Sequence, residues 1–207
     1  MSVNLAEQGR RAYRAIETGD LSDVAEYIAP DWANAEAAAE PPACRGIGPE
    51  AFAATVRWLR TGLTEIEFEE HDVVVQDHTV ASAVRMCGRH TGPIVVQDGK
   101  RLRVAPPGGR RFSVEHVHWT VFDEQGRAVS HVARRDDLGQ LGQLGLLPPT
   151  PAALWRSLMW RLNGRSTMAR RAVLAPSGEL PTATMPAQRG RSTELGARPP
   201  ATISSAG

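Results

Sequence analysis

Two cysteines in 207 residues, Cys44 and Cys87, with no CxxC pair, leave no basis for a disulfide framework or a thiolate metal centre. Charge of one sign is equally scarce. Lys+Arg 24 against Asp+Glu 23 gives a formal charge of +1, so no overall field recruits nucleic acid or an anionic membrane. No stretch approaches the roughly 20 apolar residues that span a bilayer, and the start "MSVNLAEQGRRAYR" has no apolar signal core. A cytoplasmic, reduced protein is expected. Also missing are a GxGxxG after a strand, a Walker loop, a GxSxG elbow and an HExxH helix, which removes the common nucleotide, serine-hydrolase and zinc-protease chemistries.

What is present is a change of period along the chain. Residues 3–18 place Leu5, Ala12, Tyr13 and Ile16 near helical spacing before "GD" stops them. "LSDVAEYIAP" predicts a second short helix, with Leu21, Val24, Ala25 and Ile28 on one stripe and Pro30 ending it. "PEAFAATVRWLRTG" predicts a third, with Pro49 in its first turn and Phe52, Val56 and Leu59 on one face. After Gly62 the alternation becomes two: Ile66 and Phe68 against acids, then Val80, Ser82, Val84 and Met86, then three more strand-like pieces with "DEQG" as a hairpin turn. Helices followed by antiparallel strands predict an α+β domain over 1–149, with the helices on one sheet face. "PAALWRSLMWRLNG" predicts an appended amphipathic helix over 150–163, and residues 164–207, poor in aromatics, are expected to be disordered.

The strand "VEHVHWTVF" carries the densest chemistry. Alternation puts His116, His118, Thr120 and Phe122 on one face, where two histidines can move a proton or polarise a carbonyl if that face lines a cavity. A metal held by His116, His118 and either His131 or Asp136 lacks any supporting ligand spacing, so no metal site is expected. The last strand places Val129, His131, Ala133 and Arg135 on one face. Ser130, Val132, Arg134 and Asp136 fall on the other if the alternation persists. From the residues alone, Asp136 and Asp137 read as salt-bridge partners of Arg134 and Arg135, with a buried general base as the alternative. "GQLGQLG" reads as a loop with Leu138, Leu141 and Leu144 packing inward.

The order "YRAIETGDLSDVAEYIAPDW", "GPEAFAATVRWLR", "GRHTG", "PPGGRRF", "HW" and "SHVARRDDLGQLGQLG" resembles the SnoaL-like polyketide cyclase (ester cyclase) family over residues 8 to about 149. The resemblance implies a nuclear transport factor 2-like cone, three N-terminal helices against a curved sheet. It also implies a homodimer and ring closure by an intramolecular aldol reaction on a small hydrophobic carbonyl substrate, without cofactor. On that likeness Asp136 takes the place of the proton-transfer carboxylate. His118 or His90 would donate to the developing oxyanion, Asn34, His116 and His131 would bind substrate, and Trp32, Phe52, Trp58 and Met86 would wall the pocket.

Ala35, Ser130 and Val132 stand where family members often carry a histidine, an acid and a tryptophan. These departures support a second reading, a non-catalytic small-ligand module, while the resemblance also implies a third, a hydrolase or hydroxylase on the same fold, because relatives similar to the cyclases carry out such chemistry. The helix over 150–163 is expected to pack across the domain or a dimer partner, with membrane-surface contact as the less favoured role.

Overall fold

The computed structural model describes residues 3–174. Helix α1 (Leu5–Thr18) opens where the Asn4 side chain accepts from the Glu7 N–H and ends at Gly19, whose φ of 80° only glycine adopts readily. Helix α2 is a single turn, Val24–Tyr27. The predicted second helix is shorter than its stripe because Ile28 already begins strand β1, Ile28–Asn34. Two 3₁₀ turns, Ala37–Ala39 and Pro42–Arg45, lead to α3 (Gly48–Gly62), which buries Phe52, Val56 and a run of alanines.

Strands β2 (Leu63–Gln76), β3 (Thr79–His90), β6 (Arg111–Phe122) and β7 (Ala128–Arg135) form an antiparallel sheet in the order β2-β3-β6-β7, and β1 adds in parallel beside β7. Register breaks in β2, between Thr64 and Glu67 and between Glu70 and Asp72, act as bulges. Bulges bend a strand, and here they curl the sheet around α1 and α3. Strands β4 (Ile94–Asp98) and β5 (Arg101–Ala105) make a separate hairpin, tied to α3 where the Trp58 indole N–H donates to the Val95 carbonyl at 2.7 Å.

Alternation holds along the inner strands. Val80, Ser82, Val84 and Met86 of β3, and Phe112, Val114, His116 and His118 of β6, are all buried. Two apolar clusters result, one around Tyr27, Trp32, Phe52 and Phe122, the other around Ile66, Met86, Phe112 and Leu144.

Beyond β7 the chain departs from the sequence reading. "DLGQLGQ" is a helix, α4 (Asp137–Gln143), in which only Leu144 just past the end is fully buried, while Leu138 is 71% exposed. Helix α5 (Pro151–Leu162) forms as predicted, yet Leu154, Trp155, Leu158 and Leu162 all face outward, so this apolar side does not pack across its own domain. A further helix, α6 (Arg165–Ala172), occupies the first part of the segment expected to be disordered. It is anchored where Arg170 donates to the Leu102 carbonyl of β5. The rest of that expectation, 175–207, lies outside the described residues. Among the described residues no helix is long and apolar enough to cross a membrane.

Candidate active site

Between the two apolar clusters lies a cavity of about 430 Å³. Its walls come from α1, β1, α3, the sheet's concave face, the β4–β5 hairpin and α4. Ala12, Ile16, Phe68 and Val80 supply apolar surface alongside Trp32, Trp58 and Met86, three residues the sequence places here. Phe52 stands edge-on to Trp32 at 5.6 Å between ring centroids, which sets the angle of that wall.

Set into this surface is a row of polar groups. His116 and His118 project from β6, and His131 from the neighbouring β7, with the His118 and His131 rings 5.1 Å apart. The His118 Nδ1 lies 2.9 Å from His131 Nε2, and His131 Nδ1 lies 3.1 Å from the Asn34 Oδ1. The Asn34 amide reaches Glu40 at 3.4 Å, and the other Glu40 oxygen accepts from the Thr55 hydroxyl at 2.9 Å. Tyr13 and Ser82 share a hydroxyl–hydroxyl hydrogen bond of 2.9 Å beside His118.

Burial holds the histidines neutral. It is the largest cause pushing His116 down to about 4, with the Arg135 charge second. His131 is likewise pushed down to about 4 by burial and then by Arg135. Burial first, then the His131, His116 and Arg135 charges, push His118 to about 2. Glu40 shifts the other way: burial raises its carboxyl, opposed chiefly by the Thr55 hydrogen bond.

These shifts make stability depend on pH. A histidine whose folded pKa is depressed binds its proton in the unfolded chain first, so folding is penalised as pH falls from about 6.5 toward 4. At pH 5, His116 and His131 each cost on the order of 2 kcal/mol by this linkage. Glu40, which gains a proton more readily when folded, offsets part of this. Thermal melts are expected to drop by roughly 10 °C between pH 7 and pH 5; a flat melting temperature over that interval would contradict neutral burial of the three rings.

The two aspartates separate. Asp136 is exposed and caps α4, its Oδ1 accepting from the Gly139 N–H at 2.8 Å, and it is not among the lining residues. Asp137, the first residue of α4, is exposed too, with 62% of its side chain accessible, but it lines the cavity at its rim and lies 3.5 Å from Arg135. The expected base thus sits one residue short of the pocket because the cap turns it aside. His90 is fully enclosed and also absent from the lining, with burial lowering its pKa, so it offers no donor to the cavity.

Sequence reasoning missed Tyr13, Ser82, Glu40, Thr55 and Arg135 as site residues. For Arg135 the signal existed, since it shares its strand face with His131. For Glu40, a lone acid in "EAAAEPPAC", none did. Among the described residues lining the cavity, Arg135 is the sole lysine or arginine. An apolar cavity holding one guanidinium, three neutral imidazoles, the buried Glu40 carboxyl and the Asp137 carboxylate at its rim suits a substrate that develops negative charge on oxygen.

A family model described as SnoaL-like polyketide cyclase matches residues 7–144. The aklanonic acid methyl ester cyclase DnrD of Streptomyces peucetius is 37% identical over 153 residues, covering 71% of this chain and 94% of that protein. Nogalonic acid methyl ester cyclase of Streptomyces nogalater is 37% identical over 134 residues, covering 63% of this chain and 90% of that protein. Among solved structures, TsrD from Streptomyces laurentii superposes with a TM-score of 0.56 at 22% identity, covering 70% of this chain and 98% of that one. That last likeness speaks for the fold alone.

Proposed function

Because the chain belongs to the SnoaL-like polyketide cyclase family, we propose that it closes a ring in a hydrophobic, carbonyl-rich polyketide by an intramolecular aldol or related proton-transfer reaction that needs no cofactor. The observation that carries this is the cavity itself, apolar on its walls and supplied with one cation and a rim carboxylate. Holding both ends of a flexible substrate in a shaped, largely apolar space replaces an entropically costly encounter with a reaction inside one molecule. In this reading Asp137 takes the proton from the activated carbon. Arg135 faces the oxygen on which negative charge develops, where a fixed donor in low dielectric is most effective.

The test is incubation with aklanonic acid methyl ester and nogalonic acid methyl ester, the compounds named for the relatives. An aldol closure conserves mass, so a product of unchanged mass and shifted chromatographic retention is expected. Neither substrate changing, nor any related keto ester, removes the assignment.

One observation favours the non-catalytic reading: the inward positions of β7 are His131, Ala133 and Arg135, none of them an acid. Tight binding of these esters without turnover, unaffected by Asp137→Asn, would support it. A homodimer paired through the outer sheet face, where Trp119 and Val121 are each 38% exposed, completes the proposal. Sedimentation showing only monomer removes that part.

A further inference from the structure

The hydrogen bonds around Asn34 fix the direction of every proton up to His118. The backbone N–H of Glu36 donates to Asn34 Oδ1 at 3.1 Å, which identifies that atom as the amide oxygen, and the amide nitrogen is then left to face Glu40. An oxygen cannot donate, so His131 Nδ1, 3.1 Å from the same Oδ1, must carry a hydrogen. A neutral His131 therefore presents a lone pair at Nε2. His118 Nδ1, 2.9 Å away, must in turn be the donor of that contact. The consequence falls on His118 Nε2, which is left with a lone pair. That atom is buried and has no hydrogen-bond partner among the described residues. The hydroxyl of its cross-strand neighbour Ser82 pairs with that of Tyr13 instead.

We propose that His118 is the cavity's hydrogen-bond acceptor, set in that state by a His131–Asn34–Glu40 chain, and that it selects substrates bearing a free phenolic or enolic hydroxyl. The inference deepens the cyclase reading by naming a feature of its substrate, and it reverses the donor role expected for His118 from the sequence. An orphaned buried acceptor is costly to leave unmade, so a ligand that brings a hydroxyl gains more here than on an exposed surface. An ether at the same place brings no hydrogen and leaves Nε2 unpaired. His131, Asn34 and Glu40 act through His118 and are positioning residues.

The test has two arms that do not require turnover. Long-range proton–nitrogen correlation spectra of the full chain labelled at histidine nitrogen, at pH 7, are expected to show His118 with hydrogen on Nδ1 and a bare Nε2. Binding of 2-hydroxyanthraquinone and of its methyl ether, followed by tryptophan fluorescence, is expected to favour the hydroxyl form at least ~10-fold, the range of one well-placed hydrogen bond. In Asn34→Leu, which removes the acceptor that orients His131, the Nδ1–H signature should be lost and the ratio should fall toward one. Glu40→Gln, which keeps shape and hydrogen bonding, should retain the His118 tautomer if folding is intact. A wild-type His118 with its hydrogen on Nε2 overturns the proposal, and so does a methyl ether that binds as tightly as the phenol. Either result leaves ring closure by the protein open to its own assay, whereas a failed cyclisation with the expected tautomer and selectivity counts only against catalysis.

Discussion

Replacing Arg135 with methionine is expected to reduce kcat/KM by at least ~100-fold, the usual scale for removing a donor aimed at a developing oxyanion. The size follows from its surroundings. The guanidinium projects from the end of β7 into a cavity with no other lysine or arginine among its described lining residues, and its carboxylate neighbour Asp137 lies at 3.5 Å, too long to absorb its fork of donors. Methionine preserves most of the stem's packing, so loss of activity should outrun loss of stability. The same variant carries an independent signature. Arg135 contributes to the depressed pKa of His116, His118 and His131, second to burial for two of them, so all three rings should titrate closer to their ordinary value once it is gone. Turnover within threefold of wild type, or imidazole titrations that stay where they were, would remove Arg135 from the centre of the site.

The second large effect distinguishes neighbours in the chain. Asp137→Asn is expected to lower kcat by ~100-fold or more as loss of a general base. Asp136→Asn should leave turnover within a few-fold, because asparagine caps a helix about as well as aspartate. Asp136→Ala removes the cap on α4 and should cost ~1 kcal/mol, a drop of about 3 °C in melting temperature, again with little change in kcat. The opposite pattern, with Asp136→Asn inactive and Asp137→Asn normal, would show that the carboxylate turns inward during the reaction and that family register is the better guide.

How far such residues were legible in the sequence depends on where they lie. Within a regular strand the period of two is rigid, and His116, His118 and Met86 face the cavity as alternation places them. Past the end of β7 that rule lapses. Whether residue 136 or 137 points inward is decided by the start of α4, and two glycines with poor helix propensity concealed that helix. Strand β1 was hidden for another reason: its partner β7 lies about a hundred residues away and its burial does not alternate, with Ile28 and Ala29 buried in succession. Glu40 sits in an irregular segment between 3₁₀ turns, where no periodicity foretells burial at 2% exposure.

Strand β1 joins β7 in parallel, with Asn34 standing opposite His131 in the ladder. The alignment of amide and imidazole is thus inherited from main-chain pairing rather than from side-chain search. A slip of one residue would swap inward for outward positions along the strand and disconnect the line of protons. Zipping this last edge onto the sheet and setting the state of His118 are therefore one event, and an incoming ligand meets a site whose ordering entropy was spent when the chain folded.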